Sequence, residues 1–411
     1  MSTELQERLA GYQPTPDELV AAAVALRPRL RELQEEHARL GTYGPEIHEY
    51  FVEHRFYDML RPKRYGGLEV DLETFFRVAI EISRGDPGVG WSFELGASHA
   101  YQFASHFPAQ AQEEVFGSAY PFISPSRAFP VQSDVRKVDG GYRVSGVWDY
   151  NSGCTYASHM MPVAPVTLPD GSTQLWMFIL PREDFTIRDD WGFGKTIGLH
   201  ASSSNTIEID DAFVPDHDAV VFNFKDIVWG DDGTPGWQLH QNPLYLGRTS
   251  AVFIAGLTQS QVGNALACMD EWEALMERGT SFAPRGPRKE SPFYQHWTGE
   301  VVSAAEASQT LLLGAIREYM RLNAAWTEGG AEFTTKDDVR IRGQIVRAAQ
   351  LAQQAIETAY TYGGTSSVAL AGKRMGKYYQ DAAMYRTHIG YMPEVLLTNL
   401  GRVLSGQPLQ M

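Results

Sequence analysis

Hydrophobic positions in the first 120 residues recur every three or four residues, which is the period of amphipathic helices. Thr15-Pro16-Asp17-Glu18 has the sequence of a capping box with proline at the first helical position. An apolar face follows from Leu19 to Leu26, and Pro28 is expected to bend or break this helix. Asp71 is predicted to cap a later helix, and another is predicted over about 89–107.

Near residue 121 the hydrophobic period changes to two, as in half-buried strands. Apolar and polar residues alternate from Tyr142 to Tyr150, and again around Ile207 and Ile209. A short apolar run, Leu175 to Leu180, lies between these segments and ends at a proline. Several strands separated by turn residues predict a small β-sandwich or barrel that extends to about residue 225.

From about residue 245 the helical period returns and continues to the end of the chain. The positions that share one seam are spaced 4, 3, 4 and 3 residues apart: Ile345, Ala349, Ala352, Ile356 and Ala359. The predicted fold is therefore mainly α with a central β-domain. The predicted domains are an N-terminal α-helical domain (1–120), the β-domain (121–225) and a C-terminal helical bundle (226–411).

Composition excludes several classes of protein. Among 411 residues, 35 Lys and Arg face 50 Asp and Glu, and the net charge of −15 disfavours a nucleic-acid partner. The 43% hydrophobic content is sufficient for a large core, and two cysteines cannot build a disulfide framework. The chain shows neither an apolar run of membrane-spanning length nor a secretory signal at its start. We expect a cytoplasmic enzyme without a membrane partner.

Familiar catalytic motifs are incomplete. Gly194-Lys195-Thr196 resembles the end of a phosphate-binding loop, but Asp189 occupies the position of the required first glycine. His48 and His54 are six residues apart and do not share a helical face, and there is no HExxH motif, so no metal site is expected. The GxSxG motif of serine hydrolases is also missing.

Three segments combine glycine with polar groups more densely than a core requires. They are 90–99, 146–154 and 362–367, the last followed by Asp381 and His388. Each has an ordinary structural interpretation on its own: a helix histidine, a polar turn and a helix end. Their order along the chain is more informative than any one of them.

In that order the chain resembles the acyl-CoA dehydrogenase superfamily over nearly its whole length. The matching pieces are Arg64 to Gly67, Gly141 to Gly146, Gly198 to Pro215, and Gly363-Gly364 followed by a helix that carries Asp381. The resemblance implies an N-terminal helical domain, a β-sandwich or barrel, and a C-terminal four-helix bundle.

Within the superfamily the chain is most similar to the oxygenase components of group D two-component flavin-dependent monooxygenases, such as the 4-hydroxyphenylacetate 3-hydroxylases. Gln380 departs from that pattern, because an arginine before the aspartate is common. Many acyl-CoA dehydrogenases place a catalytic glutamate eight residues after this aspartate, where the chain has Ile389. Glu394 is near, so the dehydrogenase alternative stays open.

The resemblance implies a reduced flavin, FMN or FAD, which a separate NAD(P)H-dependent flavin reductase supplies. The flavin would react with O2 to form a C4a-hydroperoxyflavin, which would hydroxylate an aromatic substrate, phenolic or heteroaromatic. The enzyme would be a homotetramer. The alternatives are an acyl-CoA dehydrogenase-like FAD oxidoreductase, an N- or S-oxygenating member of the same fold, and a non-catalytic flavin-binding protein.

The same resemblance assigns roles to individual residues. Ser152 would hydrogen-bond near flavin N5, His388 would stand where oxygen adds, and His99 would take a phenolic proton from the substrate. Ser126 and Tyr391 are further candidates for the substrate pocket. The remaining candidates for flavin contacts are Trp91, Tyr150, Gly153, Arg278, Ser366 and Ser367.

Overall fold

The structure is a computed structural model, and it describes residues 9, 11–118, 121–222, 233–246, 248–282, 285–368 and 373–410. The predicted domain boundaries, after residue 120 and after residue 225, lie outside these ranges. Among the described helices, none is long and apolar enough to cross a membrane.

Helices form the first part of the chain, as the period predicted. They are α1 (Pro16–Leu40), α2 (Pro45–Glu53), α3 (Leu72–Gly85), α4 (Pro87–Ala97), α5 (His99–His106) and α6 (Ala109–Ser118). The capping box at Thr15 is present, and the Asp71 side chain accepts a hydrogen bond from the Thr74 amide at the start of α3. Both predicted helix starts are confirmed.

The first of these helices does not break at its internal proline, and one predicted helix is divided in two. Helix α1 continues through Pro28, which lies on the exposed face, and Arg27 Nε donates to the Val24 carbonyl that a residue-28 amide would otherwise have reached. The helix predicted over 89–107 is two helices, because at Ser98 the backbone hydrogen bond shortens to a three-residue step, from the Tyr101 amide to the Ser98 carbonyl. As a result, His99 is the first residue of α5.

The middle of the chain forms two sheets. The strands are β1 (Ser126–Arg127), β2 (Gln132–Val138), β3 (Gly141–Asn151), β4 (His159–Thr167), β5 (Thr173–Phe178), β6 (Leu180–Pro181), β7 (Phe185–Ile187), β8 (Asn205–Pro215) and β9 (Ala219–Val221). One sheet has the order β1-β4-β5-β9, with β6 also on β4, and the other has the order β2-β3-β8-β7. Alternate residues of β3 and β8 form the core between the sheets, including Val144, Trp148 and Ile207.

Helices return after the sheets. They are α7 (Pro235–His240), α8 (Thr249–Glu277), α9 (Pro292–Thr327), α10 (Thr335–Gly363), α11 (Thr365–Val368), α12 (Arg374–Tyr385) and α13 (Pro393–Leu404), and a short hairpin, β10 (Thr280–Phe282) with β11 (Arg285–Pro287), follows α8. All five residues of the predicted seam are buried on α10. The chain is mainly α with a central β-domain, as predicted.

Candidate active site

A cavity of about 250 Å³ lies where the end of β3, helix α4, the loop before β8 and the segment after α12 meet. Its described lining is largely aromatic and apolar, with three serines, one threonine, one histidine and one arginine. The lining residues are Trp91, Arg127, Tyr150, Ser152, Trp191, Leu199, Ser202, Ser204, Met384, Tyr385, Thr387, His388 and Ile389. A neighbouring groove of about 450 Å³ shares Tyr150, Trp191, Ser204 and Met384 with it.

The turn after β3 is shaped to reach this cavity. The pairing of β3 with β8 shifts register between Trp148 and Asn151, and Tyr150 adopts a positive φ of 56° that frees its ring from the sheet. At Gly153, φ is 80°, and a Cβ atom there would come within 2.7 Å of the Ser92 carbonyl oxygen of α4. Glycine therefore allows the turn to lie directly against α4.

Three serine hydroxyls form a buried chain beside this turn. The Oγ atoms of Ser152 and Ser204 are 2.7 Å apart, and those of Ser204 and Ser202 are 2.6 Å apart. Trp91 Nε1 donates to Ser152 Oγ at 2.9 Å. Because Ser152 already accepts from Trp91, its own proton can be given either to Ser204 or to a ligand in the cavity.

His388 is held in one tautomer. The Gly390 amide donates to His388 Nδ1 at 2.9 Å, so Nδ1 is unprotonated and the neutral ring carries its proton on Nε2. Burial, reinforced by the charge of Arg127, lowers the pKa of His388 to about 4. At neutral pH this residue is an uncharged hydrogen-bond donor, and its ring packs edge-on against Trp91 at 5.3 Å.

Arg127 is a lining residue that the sequence analysis missed. Its Nε and Nη2 donate to one carboxylate oxygen of Asp149, at 3.3 and 3.1 Å, and its guanidinium lies 5.6 Å from the Tyr150 ring centroid. The sequence feature that could have indicated Arg127 was its position directly after Ser126, a predicted substrate-pocket residue. Ser202 and Ser204 were also missed, although both lie in the segment 198–215 that supported the resemblance.

A buried ion cluster supports the loop that carries these serines. Asp381 accepts a hydrogen bond from the Leu199 amide at 2.6 Å, and Lys377 bridges Asp381 and Asp86 at 2.7 and 3.1 Å. Burial lowers the pKa of Lys377, but the two carboxylates outweigh burial and raise the pKa above its usual value. The cluster thus ties α12 to the N-terminus of α4 and to the loop at Leu199.

His99, the first residue of α5, is not among the described residues that line the cavity. Its Nδ1 lies 2.7 Å from the Ser124 carbonyl oxygen, which can only accept, so in the neutral ring Nε2 is the unprotonated nitrogen. Burial lowers the pKa of His99 to about 4. The chain from Ser124 to Arg127 connects this histidine to the cavity wall.

The structure brings only some of the predicted residues together. Trp91, Tyr150, Ser152 and His388 line the cavity, and Gly153 is the turn residue behind Ser152. Two more are adjacent: Ser126 precedes Arg127 on β1, and the Tyr391 ring packs 4.8 Å from that of Tyr385. Three lie elsewhere in this chain: exposed Arg278 at the end of α8, and Ser366 and Ser367 in the short helix α11.

Potential metal ligands gather on the surface rather than in the cavity. Among the described residues, Glu114, His217 and Asp218 place one ligand atom each within 4.8 Å of one another. Burial raises the pKa of Asp218 to about 6. None of the three is among the described residues that line the cavity.

The lining of the cavity fits a flavin ring in its chemistry. Aromatic and apolar side chains suit a tricyclic ring, and the serine hydroxyls and His388 Nε2 offer hydrogen bonds to its polar edge. The described lining contains no carboxylate that would repel a reduced, electron-rich ring. The residues that would hold the ring are Trp91, Tyr150, Ser152, Ser204 and His388.

Comparison with known proteins agrees with this fit. Residues 255–393 match the family "Acyl-CoA dehydrogenase, C-terminal domain". The oxygenase subunit HsaA of a flavin-dependent monooxygenase from Rhodococcus jostii (strain RHA1) is 28% identical over 386 residues, which cover 94% of this chain and 97% of the relative. The oxygenase component of an FADH(2)-dependent resorcinol hydroxylase from Rhizobium sp. (strain MTP-10005) is 25% identical over 358 residues, 85% of each chain.

A solved structure, the 3-HSA hydroxylase from Rhodococcus sp. RHA1, superimposes with a TM-score of 0.85 at 27% identity and covers 96% of this chain and 98% of that one. The fold and the site define a flavin-dependent oxidoreductase of acyl-CoA dehydrogenase architecture. The chain has the acyl-CoA dehydrogenase fold and is similar over most of its length to oxygenase components of flavin-dependent monooxygenases; it is a monooxygenase that uses reduced flavin and O2. The predicted resemblance, fold and cofactor are confirmed.

Proposed function

We propose that the chain hydroxylates a small aromatic substrate, with a phenol as the preferred class. The observation that carries this proposal is the pair His388-Ile389 at the cavity. Many dehydrogenases have a proton-abstracting glutamate at the position of Ile389, whose side chain lines the cavity. Glu394 is exposed on α13. The described lining therefore offers no carboxylate base, but it does offer neutral hydrogen-bond donors.

Reduced flavin, when bound, supplies the two electrons that send one atom of O2 to water and the other to the substrate. Ser152 would hold the polar edge of the ring, because its hydroxyl is fixed by Trp91 and retains one proton to donate. The largely apolar walls would exclude water, so that hydrogen bonds made inside the cavity are not exchanged with solvent.

His388 would donate from Nε2 to oxygen that gains negative charge. This role requires no positive charge on the ring, since the Gly390 amide fixes the tautomer and burial keeps the imidazole neutral. The pKa near 4 favours a neutral, hydrogen-bonding ring over a cationic one.

His99 would act on the substrate as a hydrogen-bond acceptor. The Ser124 carbonyl holds the ring so that Nε2 keeps its lone pair. With a pKa near 4, His99 is too weak a base to remove a phenolic proton completely, so we propose that it polarises the O–H bond instead. Ser126 and Tyr391 are proposed to complete the substrate pocket.

The relatives named above are oxygenase subunits or components, which implies that they work with another component. For this chain we propose a separate NAD(P)H-dependent flavin reductase, FMN or FAD as the flavin, a homotetramer and a cytoplasmic location. Arg278, Ser366 and Ser367, exposed or partly exposed at helix ends, stay predicted flavin contacts.

Oxygen-18 labelling tests the proposal. The protein, chemically reduced flavin and 18O2 are incubated with a panel of phenols, and the products are analysed by mass spectrometry. We expect one labelled atom in a hydroxylated product. If all the oxygen appears as hydrogen peroxide with every phenol, while an acyl-CoA bleaches protein-bound FAD without oxygen, the dehydrogenase alternative replaces this proposal.

A further inference from the structure

The cavity is lined by one permanent charge, which is not among the residues assigned above to the flavin ring. Among its described lining residues, Arg127 is the only one ionised at every pH of interest, since His388 is neutral. The side chain is 19% exposed and the chain as a whole carries −15 charges, so a partly buried cation here is not a general surface feature.

The hydrogen bonds of Arg127 leave part of the guanidinium unused. Both of its bonds to Asp149 end on the same carboxylate oxygen, at 3.1 and 3.3 Å, longer than the roughly 2.7–2.9 Å of a well-formed charge-assisted pair. Nη1 has no hydrogen-bond partner among the described residues. Asp149 itself faces the neighbouring groove and is absent from the cavity lining.

The Arg127 side chain lies against the ring of Tyr150. Tyr150 adopts a positive φ of 56°, and the centroid of its ring is 5.6 Å from the guanidinium carbon. The parallel pairing of β1 with β4 fixes the Arg127 backbone opposite Pro162. A guanidinium whose backbone is fixed in a strand and which lies against an aromatic ring is preorganised for a ligand.

We propose that Arg127 binds an anionic oxygen of the aromatic substrate, either an ionised hydroxyl or a carboxylate. This inference rests on the proposed function and specifies its substrate class: aromatic compounds that enter, or become, anions in the cavity. The free Nη1 donor and the positive charge of the guanidinium make the contact. Asp149, in the neighbouring groove, weakens this contact because it partly neutralises the charge.

The test measures binding without oxygen, so it does not depend on whether hydroxylation occurs. Wild-type protein loaded anaerobically with reduced FMN is titrated with 4-nitrophenol, whose yellow phenolate form is read by absorbance, and with phenylacetate and phenylacetamide by calorimetry. We expect the anion of at least one probe to bind about tenfold more tightly than its neutral counterpart, the effect of one charge-assisted hydrogen bond.

Substitutions at Arg127 and at Asp149 separate anion binding from a structural ion pair. Arg127→Gln should abolish the preference for the anion, and Arg127→Lys should retain part of it. Asp149→Asn should strengthen anion binding, because the guanidinium is no longer partly neutralised. A merely structural pair would make the Gln and Asn variants change in the same direction. Arg143→Gln, which removes an exposed charge on β3 paired with Asp211, is the matched control and should leave the preference unchanged.

The cofactor phosphate is the competing anion. Reduced riboflavin lacks the phosphate of reduced FMN, so the ratio of their affinities reports on a phosphate contact. We expect Arg127→Gln to leave this ratio unchanged. The proposal is overturned if Arg127→Gln lowers the ratio without affecting the probes, if wild-type protein shows no preference for either anionic probe, or if the Gln and Asn variants shift anion binding in the same direction.

Discussion

At the scale of single residues, His388 and His99 present the same nitrogen, Nε2, in opposite hydrogen-bonding roles. A backbone amide donates to Nδ1 of His388, whereas a backbone carbonyl lies beside Nδ1 of His99, so the first ring is a donor at Nε2 and the second an acceptor. Burial keeps both rings neutral near pH 7. The proposed division of roles between flavin and substrate thus rests on the backbone group that each ring contacts.

Ser152→Ala should lower the amount of product formed per flavin oxidised, because the variant removes the hydroxyl proposed to hold the polar edge of the ring. The ratio of hydrogen peroxide to product should rise about fivefold to tenfold, as expected for one lost hydrogen bond of about 1 to 1.5 kcal/mol. Ser145→Ala on the same strand, whose hydroxyl accepts from the Asp211 amide at the surface, is the control. Unchanged coupling in Ser152→Ala would remove Ser152 from the mechanism.

At the scale of elements, the site depends on a turn pressed against a helix. Gly153 and Gly171 have nearly the same positive φ, 80° and 83°, but only Gly153 has backbone atoms within reach of a Cβ. Comparison of alanine variants at the two positions therefore separates backbone strain from the close approach to α4.

We expect Gly171→Ala to lose about 1 kcal/mol of stability from the positive φ alone. Gly153→Ala should lose more, and should also weaken flavin binding, since the turn must move away from Ser92 and displace Ser152. Chemical denaturation and anaerobic flavin titration measure the two effects. Equal losses in both variants, with flavin affinity unchanged, would show that the close approach does not shape the site.

The sequence predicted those features that depend on local pattern. Helix caps at Thr15 and Asp71, the strand over β3 and the seam on α10 all follow from neighbours a few residues apart. Trp91, Ser152 and His388, which the family resemblance selected, share one cavity. Arg127 was missed because its place in the cavity depends on a two-residue strand paired with distant β4, and no local period encodes that contact.

At the scale of the whole molecule, the structure buries many neutral histidines. Burial lowers the pKa of seven of the eleven: His37, His48, His99, His106, His159, His240 and His388. In the unfolded chain these groups take up protons near pH 6.5, whereas burial in the folded chain keeps them neutral to lower pH, with a pKa of about 4 for His48, His99, His159, His240 and His388. Glu94 acts in the opposite sense, because burial raises its pKa to about 8.

The free energy of unfolding should therefore fall as the pH drops from 6.5 towards 5, because the unfolded state binds more protons than the folded state. Most carboxylates titrate below this range. Denaturant unfolding at several pH values gives the slope. His106→Gln removes one histidine whose pKa burial lowers to about 3, and should reduce the slope by about one proton. A slope of zero across this range in the wild type would contradict the buried neutral state.

The most direct test of the central claim, that the cavity directs reduced flavin to activate oxygen, is rapid mixing of the anaerobic complex with oxygenated buffer. The account predicts a transient near-ultraviolet absorbance that precedes the spectrum of oxidised flavin, and that is shorter-lived in Ser152→Ala than in Ser145→Ala. Conversion of reduced to oxidised flavin in a single step, at the rate of free flavin, would contradict it.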